Sequence, residues 1–268
     1  MPVYIWGHLT TEDVAALDPA RAIALLPVGA VEQHGPHLPL ATDILITEAV
    51  LAAAAERVPD DLTLLILPSQ AVGLSPEHMS FAGTLTQTAE TLIASWTEIG
   101  CAVAAAGVRK LILLNSHGGQ PQVVDIVAQR LRSEAGLLAV RANTFRFSHP
   151  EGLIATDELR HGLHGGQIET ALMLSIAPDL VRTDKITDFP NSAGARTSGS
   201  KRLGLSGAGG FAWNAEDLNP SGATGAASRA TADQGAALLA AYGQQLADLI
   251  ADVADWPLSG GTPFGGQE

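Results

Sequence analysis

Four short apolar runs constrain this chain more than anything else in it. Residues 22–28 (AIALLPV), 62–67 (LTLLIL), 110–114 (KLILL) and 137–143 each have the length of a buried strand. Stretches of helical period lie around them. Residues 44–57 are alanine-rich and follow Thr42 and Asp43, a pair suited to capping a helix. Residues 88–107 put Leu92, Trp96, Ile99 and Val103 on one face. Residues 121–135 start with a proline in the first turn and bring Val124, Val127 and Leu131 together. Residues 167–176 form another helical stretch, stopped by Pro178. Residues 231–253 form a long one, with a seam at Leu238, Tyr242, Leu246, Leu249 and Val253. Strand alternating with helix predicts an α/β fold, with a mostly parallel sheet covered on both faces.

The chain has 268 residues and is 46% hydrophobic, enough for one large core. Residues 1–258 are expected to form a single domain, and residues 259–268 (SGGTPFGGQE) a frayed tail. Residues 183–228 are rich in Gly, Ser, Ala and Asn without a clear period. They predict long loops with one or two short strands near a site.

In an open α/β sheet, ligands gather beyond the carboxyl ends of the strands. Polar clusters stand there in this sequence. The first run leads into Glu32 and His34, two residues apart, so that in an extended segment both share one face and Gln33 points away. Asp43 returns nine residues later. The third run leads into His117, within Asn-Ser-His-Gly-Gly. The stretch HGLHGGQIET adds His161, His164 and Glu169. Glu32, His34, Asp43, His117 and Glu169 make an oxygen and nitrogen donor set without thiolate, which suits Zn, Mn or Fe. Five ligands exceed one tetrahedral site. Two ions sharing a carboxylate are the natural count, and such a pair supplies a nucleophile near neutral pH. His37 is expected to support the ligands rather than join them. Ser75, Glu77 and His78 are candidates for the pocket wall, and Phe211 and Trp213 for substrate contact. His8 and His149 stand outside any cluster.

A net charge of -13 argues against a non-specific nucleic-acid binder. The single cysteine, Cys101, permits no intrachain disulfide and no thiolate metal site, and is expected to be a small buried hydrophobe. The start of the chain lacks the pattern of a signal peptide. No stretch reaches 18 uncharged apolar residues, so a cytoplasmic protein without a membrane partner is expected. No strand-linked GxGxxG or GxxxxGK[ST] supports nucleotide binding, and no GxSxG elbow supplies a serine nucleophile.

The motifs EQHGPHLPLATD, NSHGGQ and HGLHGGQIET, in that order, resemble the creatininase (creatinine amidohydrolase) family. The resemblance spans residues 27–176. It implies a three-layer α/β/α hydrolase with one or two divalent metals, often assembled as a homohexamer. Glu32, His34, Asp43 and His117 would then be ligands, with Asp43 bridging the ions. Glu169 would be the remaining ligand or its close catalytic partner, and His164 would transfer protons. Creatininase itself carries a glutamate ligand two positions after the histidine of the second motif, where this chain has Gly119. The tryptophans that close over creatinine also lack a counterpart before His164. The expected activity is therefore hydrolysis of a C–N bond in a non-peptide or small cyclic amide other than creatinine. The alternatives are a formylamino-pyrimidine deformylase, a peptidase that releases a short tail from a modified peptide precursor, a ring-ketone C–C hydrolase, and a metal-binding scaffold without activity. The deformylase would gather a phosphate-binding cluster from Arg141, Arg146, Arg196, Lys201 and Arg202.

Overall fold

The structure is a computed structural model that describes residues 3–197, 199–205 and 209–258. The tail expected at 259–268 and the side chain of Arg196 lie outside the described residues. Five strands form one parallel sheet. They are β1 (Val3–Ile5), β2 (Ala22–Val28), β3 (Thr63–Ile66), β4 (Lys110–Asn115) and β5 (Leu138–Asn143), in the order β1-β3-β2-β4-β5. The central strand β2 is buried along its whole length. Its residues alternate between two cores. Ile23 and Leu25 face one, while Ala22, Ala24 and Leu26 face the other. That is why its sequence runs apolar without alternation, as a strand covered on both faces must.

Helices α2 (Thr42–Ala55), α6 (Gln167–Ile176) and α9 (Ala232–Asp255) cover one face. Helices α3 (Ala89–Ala105) and α4 (Pro121–Ala135) cover the other. This is the three-layer α/β/α sandwich. Local signals set the helix ends. Thr88 accepts from the amide of Thr91 at the start of α3, and Thr231 and Gln234 form a reciprocal capping box on α9. Gly136 ends α4 in the left-handed conformation, at φ 66°.

Several boundaries differ from the sequence expectation. Thr42 and Asp43 do not cap α2; they form its first turn, after Ala41. Asp43 is thereby spared for another task. On α9, Ile250 rather than Leu249 takes the innermost place, while Leu238, Tyr242, Leu246 and Val253 are buried as expected. Cys101 is half-buried against the α3 side of the core. The segment at 183–228 holds a short antiparallel pair, β6 (Asp188–Phe189) with β7 (Gly225–Ala226). It also holds two unanticipated helical turns, α7 (Ser192–Thr197) and α8 (Ala215–Leu218). The edge strand β1 and the short helices α1 (Thr11–Ala15) and α5 (Thr156–His161) were not anticipated either. Among the described residues, no helix is long and apolar enough to cross a membrane.

Candidate metal centre

The carboxyl ends of β2 and β4, the first turns of α2 and α6, and the loops between them converge on one buried cluster. Glu32 and His34 follow β2, and both are 0% exposed. Asp43 lies in the first turn of α2 and Glu169 in the first turn of α6, where the amide dipoles favour negative charge. His117 stands two residues past β4. Asn115, the last residue of β4, clamps the backbone there. Its Oδ1 accepts from the His117 amide at 3.0 Å, and its Nδ2 donates to the His117 carbonyl at 2.9 Å. Gln120 donates to the same Oδ1 at 3.0 Å.

The six residues that the motifs pointed to are brought together. Asp43 offers Oδ1 to His34 Nε2 at 3.4 Å and Oδ2 to His117 Nδ1 at 3.1 Å. Glu32 Oε1 lies 3.3 Å from His117 Nδ1 and 3.7 Å from His164 Nδ1. Glu169 Oε1 lies 3.9 Å from His34 Nε2. Three donor sets have ligand atoms within 4.8 Å of one another: Glu32, His34 and His164; Glu32, Glu77 and His117; and His34, Asp43 and Glu169.

The far nitrogen of each ring decides what the near one can do. His34 Nδ1 donates to the Glu32 carbonyl at 3.0 Å, His117 Nε2 to the Leu74 carbonyl at 2.7 Å, and His164 Nε2 to the Gln33 carbonyl at 2.6 Å. A carbonyl only accepts, so in the neutral ring the inward nitrogen keeps its lone pair, the arrangement usual for metal-ligating histidines. His78 is opposite. Gln33 donates from Nε2 to His78 Nδ1, which leaves the Nε2–H of His78 pointing at Glu32 Oε1, 3.3 Å away. His78 therefore turns an N–H toward Glu32, without closing a hydrogen bond to it, and is not a ligand. Gln33 does not simply point away; it sets this tautomer. Only the tertiary contact reveals the role, because its partners lie 45 and 189 residues away.

The centre fits divalent cations. Both carboxylate oxygens of Glu32, Oδ2 of Asp43 and Nε2 of His34 are buried without a hydrogen-bond partner. Orphaned buried acceptors of this density are costly unless a cation faces them. In the metal-free protein the electrostatics are strained. Burial pushes His34 down, but Asp43, with Glu169 and Glu32, outweighs it and holds the ring at about 10. His117 is likewise raised, with Glu32 and Asp43 overcoming burial. Burial would raise Asp43, but His34 and His117 hold it below the usual carboxylate range. Burial lifts Glu169 to about 7. Burial and neighbouring His34 keep His164 well below an ordinary histidine, and burial and His164 bring His78 down to about 3.

The other candidates lie further out. His37 binds Thr170 Oγ1 at 2.9 Å and stacks on Phe189, in support of α6. Ser75 is buried 3.5 Å from His117 Nε2. His161 and His8 are exposed, and His149 accepts from the hydroxyl of Tyr242. Arg141 pairs with Asp125 away from the centre, and Lys201 and Arg202 are exposed. Of the described members of the expected phosphate-binding cluster, Arg146 alone lines a cavity near the centre. The centre opens into a cavity of about 470 Å³ whose wall includes Glu77, Gly119, Leu163 and Trp213. A second chamber of about 650 Å³ adjoins it, sharing Gly118, Gln122, Leu163, Glu169 and Trp213. Phe211 is half-buried outside both walls.

Comparisons with known proteins agree with this geometry. The family model for creatininase, creatinine amidohydrolase, matches residues 7–250. The mycofactocin precursor peptide peptidase of Mycobacterium ulcerans (strain Agy99) is 32% identical over 259 residues, covering 95% of this chain and 93% of that protein. The creatinine amidohydrolase of Pseudomonas putida is 31% identical over 206 residues, covering 69% and 76%. A solved structure of creatinine amidohydrolase (creatininase) superposes with a TM-score of 0.73 at 27% identity, over 96% of this chain and 99% of that one. With its parallel three-layer fold and its candidate ligand clusters for two divalent ions, the chain belongs to the creatininase family of metal-dependent amidohydrolases.

Proposed function

We propose that the chain is a metal-dependent peptidase that cuts an amide bond near the end of a peptide precursor. One observation carries this: a second chamber of about 650 Å³ stands beside the cavity over the centre, with Glu169 and Trp213 in the walls of both. Room on both sides of the scissile bond is what an extended chain needs. The likeness to peptide peptidases over nearly the whole chain supports it. The small non-peptide amide expected from the sequence explains the centre but leaves the second chamber without a use. The dispersed basic residues give no support to a phosphorylated substrate.

Glu32, Asp43 and His117 would hold one ion, and His34, Asp43 and Glu169 the other, with Zn, Mn or Fe suited to the donors. Two such ions supply Lewis acidity and an acidified water when bound. The chain's own groups manage the proton. His164 is held by the Gln33 carbonyl with the Nδ1 lone pair turned inward, and burial keeps the ring neutral. Nδ1 takes a proton from the attacking water and returns it to the leaving amine, so that a peptide becomes a carboxylate and an amine. The Gly165 amide donates to Glu169 Oε2 at 2.5 Å and leaves Oε1 directed at the centre. A homohexamer, carried over from the family, is checked by sedimentation.

The test is incubation of metal-loaded protein with short peptides and with creatinine, read by mass spectrometry with and without a chelator. Peptide cleavage abolished by chelation is the expected result. Turnover of creatinine alone would overturn the peptide substrate.

A further inference from the structure

We propose that Glu77 completes the ligand set of the ion faced by Glu32 and His117, and that position 119 is glycine in order to admit it. This rests on the chain binding divalent metal, not on the substrate being a peptide.

Glu77 lies in the single 3-10 turn Pro76–His78, after β3 and apart from the three motifs that supply the other ligands. Its side chain is only 16% exposed. Among the described residues no lysine or arginine pairs with it. The nearest cation-capable group is His78 Nε2 at 4.0 Å, and that atom is turned to Glu32 at 3.3 Å. The donor atoms of Glu77, Glu32 and His117 lie within 4.8 Å of one another. Glu32 contributes two buried oxygens without hydrogen-bond partners to the same spot.

Gly119 supplies the independent steric observation. A Cβ built there would sit 2.1 Å from Glu77 Oε1 and 2.5 Å from His117 Nε2. Neither distance is tolerable. His117 is pinned by the Leu74 carbonyl and the Asn115 clamp, so the flexible Glu77 side chain is the group that a larger residue would evict. The glycine and the glutamate therefore work as a pair.

The two ions become inequivalent as a result. The first is offered four residues, Glu32, Asp43, Glu77 and His117, which fills a tetrahedral site. The second is offered three, His34, Asp43 and Glu169, and keeps a position for substrate or water. The first ion is expected to be retained on dialysis and the second to exchange.

The experiment titrates chelator-stripped protein with Zn²⁺, and with Co²⁺ as a spectroscopic probe, in the wild type, Glu77→Gln and Gly119→Ala. The expected result is that one binding step weakens by at least about tenfold in both variants while the other is unchanged. The Co²⁺ d–d bands of the weakened step should shift, as they do when a direct ligand is lost. Gly119→Ala reaches the carboxylate without altering it, and a thermal melt of each variant reports the fold. Two unchanged steps with unchanged bands in folded Glu77→Gln would overturn the assignment, as would equal weakening of both steps. A wild type that takes up metal but cleaves no peptide would overturn the proposed substrate and leave Glu77 untouched.

Discussion

The side-chain amide of Gln33 donates to Nδ1 of His78 at 2.7 Å, and this one bond separates a positioning histidine from the ligating ones. The amide cannot turn over. Its oxygen accepts from the Gly35 amide at 2.9 Å, and its nitrogen also donates to the Gly222 carbonyl at 2.8 Å. His78 is thus locked with Nε2–H toward Glu32. Neither carboxylate oxygen of Glu32 has a hydrogen-bond partner, so the facing N–H of His78 is the fixed dipole that orients it.

His78→Ala should therefore loosen Glu32 and weaken metal binding by about ten- to a hundredfold, the usual effect of losing a group behind a ligand. Gln33→Leu should act in the same direction. The double variant should be little worse than His78→Ala, because both remove one linked unit. Competition against a chromophoric chelator reads all three. Additive losses would show that Gln33 and His78 act separately.

His164 separates metal retention from turnover. Its inward Nδ1 is 3.7 Å from Glu32 Oε1, while its outward Nε2 is held by the Gln33 carbonyl. His164→Ala should keep the metal content of the wild type and lower kcat by about 10²–10⁴-fold. Elemental analysis beside peptide turnover decides it. Loss of metal in this variant would make His164 a ligand instead.

Metal uptake should release protons. In the stripped protein, the carboxylates around His34 and His117 hold both rings protonated at neutral pH. Each ring must lose a proton before it can ligate, so calorimetric titration with Zn²⁺ in buffers of different ionisation heat should show proton release at pH 7. Apparent affinity should rise with pH. The stripped fold should respond the other way. His34 is raised from 6.5 to about 10 on folding, so its contribution is complete below 6.5 and lost as pH rises toward 10. Melting temperatures of the stripped protein should fall across that window. The metal-loaded protein should lack this decline, since the ions replace those protons.

The sequence carried four of the five strands and the covering helices because β2 and β4 are runs of buried residues and α3, α4 and α9 each have a one-sided seam, whereas the largely exposed β1 has no such run. It also carried Glu32, His34, Asp43, His117, His164 and Glu169 into one centre, because ligand types recur just beyond strand ends and at helix starts. Gln33, expected to point away, and the pairing of the expected wall residue Glu77 with Gly119 escaped for a different reason. Their meaning lies in contacts to His78, Gly222 and Gly119, which local spacing does not encode. The helical turns at 192–197 and 215–218 escaped because they are short, set among loop-forming residues, and too brief to show a period.

Gly235 ties packing to the centre and gives a test far from any ligand. It lies near the start of α9, where α9 meets α6. A Cβ there would sit 1.9 Å from the Ala171 carbonyl oxygen and 2.5 Å from its carbon. These are backbone atoms, so the clash cannot be relieved by a rotamer; the helices must part. Ala171 is two residues beyond Glu169 on α6, so parting them moves Glu169 away from His34. Gly235→Ala would raise the intrinsic helix propensity of α9, a gain of about 1 kcal/mol. Overpacking against backbone should outweigh that gain, with a net loss of about 1–3 kcal/mol and a melting temperature lower by about 2–4 °C for each kcal/mol. The ion held by His34, Asp43 and Glu169 should bind more weakly, while the one faced by Glu32 and His117 should not. Gly7, which has nothing within 4 Å of its Cβ position, provides the control, and Gly7→Ala should change neither stability nor metal binding. Stabilisation by Gly235→Ala would mean that α6 can slide along α9 without disturbing the centre.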